Sequence, residues 1–153
     1  MTSVPLRDSV SHDPIALSPR QVGLILFALT LGGFAIGTGE FASMGLMPNM
    51  VASLGVTEPQ VGHLISAYAL GVVIGAPLLA ILGAGWKRKT LLLSLMAFYA
   101  LGNLASAWGP SYGSLLLFRF IAGLPHGAYF GVAALTAVAI SPPERRGHAR
   151  ARR

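Results

Sequence analysis

Two charges stand alone inside long apolar runs: Glu40 in the stretch from Val22 to Met47, and Arg119 in the stretch from Ser114 to Ile140. A charged side chain at the centre of a bilayer costs about 2.5–3.5 kcal/mol or more, so each is kept only with a partner, a water-filled cavity or a coupling role. A carboxylate that takes up and releases a proton, beside a guanidinium that stays charged, makes a titrating switch. The same two groups can equally make a static lock between helices. Their depths agree. Glu40 precedes Met47 by seven residues and Arg119 follows Gly113 by six, which at ~1.5 Å per residue puts both on the order of 10 Å inside one boundary. A Glu40–Arg119 pair is therefore allowed by length.

Other polar side chains cluster by helical spacing. Arg119 and His126 are seven apart and share a face within about 20°, with Phe130 next along the stripe. His126 either lines an aqueous cavity or is a neutral imidazole bonded to a neighbouring helix. Tyr99, Asn103 and Ser106 share a face of the third run, where they are expected chiefly as interhelical hydrogen-bonding groups. His63 lies near the end of the second run and reads as interfacial. Glycines repeat every fourth residue as Gly33 and Gly37, Gly71 and Gly75, and Gly123, Gly127 and Gly131. Each series lays a groove along one helix face where another backbone can approach. No HExxH, GxSxG or phosphate loop occurs, and no His and carboxylate cluster has metal-ligand spacing, so the chain carries no catalytic, metal or cofactor signature.

The elements that must position these groups follow from composition. The 153 residues are 54% hydrophobic and 10% charged, with a mean hydropathy of +0.66, whereas soluble domains carry about 25% charge. Four apolar runs, at about 22–47, 61–82, 90–108 and 114–140 within a membrane region 21–141, are each long enough to cross roughly 30 Å of hydrocarbon. All four must be helices, because an open sheet cannot satisfy its backbone in lipid. The fold class is thus an all-α polytopic membrane protein. Residues 1–20 read as an amino-terminal tail and 142–153 as a basic tail after Pro142 and Pro143. Pro48 to Gln60 supplies turn material, with Thr57 as N-cap, Glu58 in the first turn and Pro59 early in the second span. Gly109 to Gly113 is a tight uncharged reversal.

The formal charge of +6 does not point to nucleic acid, because the bases flank the apolar runs as topology signals do. Arg7, Arg20, Lys87, Arg88, Lys89, Arg145, Arg146, Arg150, Arg152 and Arg153 fall on one side, and the two opposite loops hold none. Both termini are expected in the cytoplasm. The absence of cysteine excludes disulfides, thiolate metal sites and thiol nucleophiles.

Three stretches resemble the major facilitator superfamily, in particular its bacterial drug and sugar efflux proton antiporters related to arabinose efflux permeases. They are Gly37-Thr38-Gly39-Glu40-Phe41 with Gly45-Leu46-Met47-Pro48, Ser66-Ala67-Tyr68-Ala69-Leu70-Gly71 with Gly75-Ala76-Pro77, and the run from Arg119 through Gly123 and His126 to Ala128. The resemblance covers about residues 20–150. It implies that Arg119 and Gly123 match the fourth-span RxxxG motif, whose arginine is associated with proton coupling, and that Glu40 matches a first-span membrane acid. His126, Tyr68 and Asn103 become candidate cavity-lining residues. The family's GxLADRxGRK loop is met by Arg88 and Lys89, while Ala84 and Lys87 stand where its aspartate and last glycine belong.

Such transporters have twelve spans in two halves built from three-helix repeats. Four spans would supply one repeat and open a second, so the chain reads as a truncated or frameshifted amino-terminal portion that is not expected to transport alone. Its helix faces, the Gly123, Gly127 and Gly131 groove above all, would then meet lipid or another copy and drive self-association. The expected partners are the lipid bilayer and, in the complete transporter of the inner membrane, protons and a small-molecule substrate. Two other readings fit less of the pattern. One is a four-helix small multidrug exporter working as an oligomer, and the other a nontransporting membrane scaffold in which Glu40 and Arg119 are a static lock.

Overall fold

The computed structural model describes residues 17–140; residues 1–16 and 141–153 lie outside the described residues, while Pro19 and Arg20, expected in the amino-terminal tail, are already helical. Five helices follow in order: α1 (Pro19–Gly45), α2 (Met47–Leu54), α3 (Glu58–Leu82), α4 (Arg88–Ala107) and α5 (Tyr112–Ile140). Among the described residues no strand occurs. All but α2 are long and apolar enough to cross a membrane.

Local sequence explains the helix ends. Ser18 opens α1 with a capping box, its Oγ accepting from the Gln21 N–H while the Gln21 side chain accepts from Ser18, and Pro19 occupies the first turn, where its missing N–H costs nothing. This box starts α1 ahead of Val22. The Thr57 N–H likewise donates to Gln60 Oε1 at 2.9 Å at the start of α3. Ser111 and Ser114 exchange backbone-to-hydroxyl bonds of 3.0 and 3.3 Å before the α5 chain settles into its helix.

The segment after α1 departs from the turn expected there. Residues 47–54 are helical, with Pro48 in the first turn and Met47, Met50, Val51 and Leu54 at helical spacing. Gly55 ends this helix at φ 63°, a left-handed conformation that glycine adopts without a Cβ penalty. A loop composition rich in Pro, Asn and Gly hid a short amphipathic helix.

α5 is the hub of the bundle, with α3, α4 and α1 all packed against it. The α3–α5 seam is built from small residues on both sides. A Cβ added at Gly71 or Gly75 would run into the backbone of Phe120 or Leu124, and one at Gly123 into the backbone of Tyr68. At Gly127 it would come to 2.9 Å from the Val72 carbonyl and 2.7 Å from Ala76 Cβ. Glycine here permits backbone-to-backbone packing that larger residues would prevent. The Gly123–Gly127 part of the groove is therefore filled by α3 of the same chain, not by lipid or a second copy. Gly131 and Gly37 face open space. Gly102, which no glycine series marked, brings α4 against Ala122.

α1 is attached differently. Its one buried residue is Ile36, and Leu24, Phe27, Leu31, Phe34 and Phe41 are exposed along its length. Contiguous apolar surface of this extent is tolerated where lipid is the solvent or further helices cover it. Two tyrosine hydroxyls hold α1 by its backbone: Tyr129 of α5 donates to the Leu29 carbonyl at 3.0 Å and Tyr99 of α4 to the Ile36 carbonyl at 3.3 Å. Beside each carbonyl a glycine makes room, Gly32 under the Tyr129 hydroxyl and Gly39 under that of Tyr99. Gly33 lies under the Phe130 ring, where an added Cβ would stand 3.2 Å from it.

Candidate functional site

The two charges lie within spans α1 and α5. Glu40 lies five residues before the end of α1 at Gly45, and Arg119 seven residues after the start of α5 at Tyr112. Arg119 is 8% exposed. Its immediate neighbour is an aromatic ring: the guanidinium carbon stands 4.7 Å from the centroid of Tyr68 on α3, within the ~6 Å range of a cation–π interaction. Glu40 is half-buried, and no Lys or Arg nitrogen among the described residues approaches a carboxylate oxygen within 4.0 Å. Glu40 is on α1 between Ile36, whose carbonyl accepts from Tyr99, and the end of the helix at Gly45.

Tyr68 joins that cation to the imidazole. It is 2% exposed, and its hydroxyl meets His126 Nδ1 at 2.9 Å. The rings of Tyr68 and His126 lie 5.8 Å apart, and the imidazole continues to Phe130 at 5.2 Å and on to Tyr129 at 5.9 Å from Phe130. With Nδ1 engaged, Nε2 is the nitrogen left to exchange a proton or meet a ligand. The Tyr68 position is set by the α3–α5 seam, because Tyr68, Gly71 and Gly75 lie on one face of α3 and the glycines draw that face onto α5.

Asn103 is half-buried, and its Nδ2 donates to the Tyr99 carbonyl one turn back at 2.9 Å. Ser106 similarly bonds the Gly102 carbonyl at 2.9 Å. Both side chains thus bond their own helix, while Tyr99 reaches across to α1. His63 of α3 lies at the other edge of the bundle, its Nδ1 3.3 Å from the Tyr112 hydroxyl, which donates to the Gln60 carbonyl at 3.0 Å. This ties the ends of α3 and α5 together. At the start of α4, Lys87 at the N-cap and Arg88 and Lys89 in the first turn are exposed, and Arg88 Nη1 reaches the Leu135 carbonyl of α5 at 3.4 Å.

Residue spacing brought Arg119, His126 and Phe130 onto one face, and they share one. What it did not reveal is the bridging by Tyr68, or the parts of Tyr99 and Tyr129 in holding α1. The available signal was the register of Tyr68 with Gly71 and Gly75. Among the described residues no group of three His, Cys, Asp or Glu side chains could hold a metal ion. The cluster offers a fixed cation and an imidazole with one engaged nitrogen, groups whose chemistry suits binding of anionic or aromatic groups and proton exchange.

A family model described as Major Facilitator Superfamily matches residues 29–152. The inner membrane transport protein YdhP of Escherichia coli K12 is 44% identical over 129 residues, covering 84% of this chain and 33% of that protein. The chloramphenicol resistance protein of Streptomyces lividans is 37% identical over 126 residues, 82% of this chain and 32% of that protein. A protein named Probable sugar efflux transporter of Helicobacter pylori is 30% identical over 124 residues, 81% of this chain and 32% of that protein. The chain spans about a third of the length of these curated relatives. No solved structure gives a significant match.

Proposed function

This chain belongs to the Major Facilitator Superfamily, and we propose that its α1, α3, α4 and α5 supply the proton-coupling part of a secondary transporter that exports small molecules such as drugs or sugars across the inner membrane. The observation that carries this reading is the buried Arg119–Tyr68–His126 cluster, in a chain whose first span carries the half-buried acid Glu40. The relative named as a probable sugar efflux transporter supports its direction. When Glu40 takes up a proton, the attraction between α1 and the cation on α5 is lost, and a state held by that attraction loses population to one that is not. Arg119 stays charged throughout, which makes it the lever and leaves Glu40 as the carrier. Both termini face the cytoplasm in this reading, since the bases of the α3–α4 loop belong on that side.

The test is a chimera in which this chain replaces the matching third of YdhP. Everted membrane vesicles carrying it are assayed for proton release on addition of candidate drugs and sugars. Substrate-dependent proton movement is expected in the parent chimera. Glu40→Gln is expected to abolish it while substrate binding survives, and Arg119→Lys to reduce it by tenfold or more, because a point charge does not reproduce the planar guanidinium on the Tyr68 ring. Full uphill efflux by Glu40→Gln would reduce the acid to a structural partner and move the coupling role to His126.

A further inference from the structure

A second feature lies at the far end of α3 from His63, where an apolar groove of about 320 Å³ opens between the last turns of α3 and the first half of α4. Leu79, Leu91, Leu95 and Phe98 form its walls, Ser94 brings one hydroxyl, and Trp86 stands at its rim, 55% exposed. From Leu91 to Phe98 the groove follows α4 for two turns, a length of about 10 Å that begins in the first turn of the helix. Lys87, Arg88 and Lys89 lie in the chain between two of its lining residues, Trp86 and Leu91, and all three are exposed. No acid occurs anywhere from residue 79 to residue 98. The apolar slot is therefore flanked in the chain by three consecutive exposed bases, with no acid between residues 79 and 98.

We propose that this groove is a binding site for an anionic phospholipid, with an acyl chain along α3 and α4 and the headgroup phosphate against Lys87, Lys89 and the donors of Arg88 not turned to Leu135. Charge complementarity selects the occupant. A zwitterionic lipid fills the slot equally well but sets its own cation against three bases. An inorganic anion gains nothing from the leucine walls. Trp86 suits the same position, because an indole settles at the level of the headgroups with its N–H still able to find a polar partner. Basic pockets between membrane helices hold anionic headgroups on these grounds.

Trp86 also reports occupancy. With Trp108→Phe it becomes the single tryptophan of the chain, and its fluorescence in vesicles is quenched by lipids brominated on the acyl chain. At equal mole fractions, brominated phosphatidylglycerol is expected to quench it with about threefold higher apparent affinity than brominated phosphatidylcholine. Lys87→Gln with Lys89→Gln should bring that ratio to about one, and Lys87→Arg with Lys89→Arg should keep it near the parental value. Ser94→Phe, which fills the groove and leaves the bases in place, should also abolish the preference. Trp108 alone, in the Trp86→Phe chain, should show none. Equal quenching of Trp86 by the two lipids overturns the proposal. So does a preference that survives Ser94→Phe in a chain with unchanged helix content, or one shared by Trp108, since either assigns the effect to headgroups gathered on an open surface. If Ser94→Phe unfolds the chain, the lysine pairs decide alone.

Discussion

At the residue scale the side chain that organises the cluster is a tyrosine, although the charges are what draw attention in the sequence. Tyr68 presents its ring face to Arg119 and its hydroxyl to His126, and these two functions can be separated. Tyr68→Phe keeps the ring and removes the hydroxyl, so it should destabilise the bundle by only about 0.5–1.5 kcal/mol, the worth of one hydrogen bond. Tyr68→Leu also removes the aromatic face and should cost about 2 kcal/mol more, because a desolvated cation loses its only described aromatic neighbour. Unfolding of the chain in mixed micelles by increasing SDS, followed by circular dichroism, measures both. Equal losses in the two variants would remove the cation–π contact from the account. The lone charges Glu40 and Arg119 were legible in the sequence because charge is rare in hydrocarbon. The tyrosine was not, since an aromatic residue in an apolar run has many packing roles and only its neighbours across the seam single it out.

At the element scale the helices hold together by two kinds of contact, and the glycine spacing revealed one of them. Four-residue repeats predicted close backbone packing, and Gly71, Gly75, Gly123 and Gly127 all lie in the α3–α5 seam. The repeat alone does not say which members face a neighbour, and Gly37 and Gly131 continue their series into open space. The second contact has no fourfold signature. A tyrosine hydroxyl reaches a carbonyl of α1 beside a glycine, first at Leu29 and Gly32 and again at Ile36 and Gly39, seven residues later. Seven residues return to nearly the same helix face, so both contacts hold one side of α1. The short helix α2 was hidden for a different reason: eight residues are too few for periodicity to outweigh Pro48, Asn49 and Gly55. These distinctions give a direct comparison of two glycines on one helix. Gly127→Leu should destabilise the bundle by several kcal/mol, because its side chain must enter the space of Val72 and Ala76. Gly131→Leu should change stability by less than about 1 kcal/mol, and helix propensity favours it. Thermal unfolding by circular dichroism separates them, and equal behaviour would mean that α3 does not fill this groove.

At the scale of the whole molecule, α1 is the least enclosed span and α5 the most, so the bundle is a hub helix with two tight neighbours and one attached by its backbone carbonyls. That asymmetry suits a transporter in which the helix bearing Glu40 shifts against the helix bearing Arg119 while α3 keeps Tyr68, Arg119 and His126 as one unit. The same frame orders the connections. The α3–α4 loop and the first turn of α4 hold three bases, whereas the links from α1 to α3 and from α4 to α5 hold no Lys or Arg. Successive spans alternate direction, so the first and last of these connections lie on one side and the basic loop on the other. In the orientation proposed above, that excess of bases lies on the cytoplasmic side. The chain contains no cysteine, which allows single cysteines to report this directly. Ser111, exposed at the turn before α5, and Thr90, exposed in the first turn of α4, are the two probe positions. In intact cells Ser111→Cys should react with a membrane-impermeant maleimide and Thr90→Cys should not, and after the membrane is permeabilised both should react. Labelling of Thr90→Cys alone in intact cells would invert the chain in the membrane. Proton uptake by Glu40 would then be assigned to the opposite aqueous side, and export could not be driven by an inward proton gradient along the path proposed here.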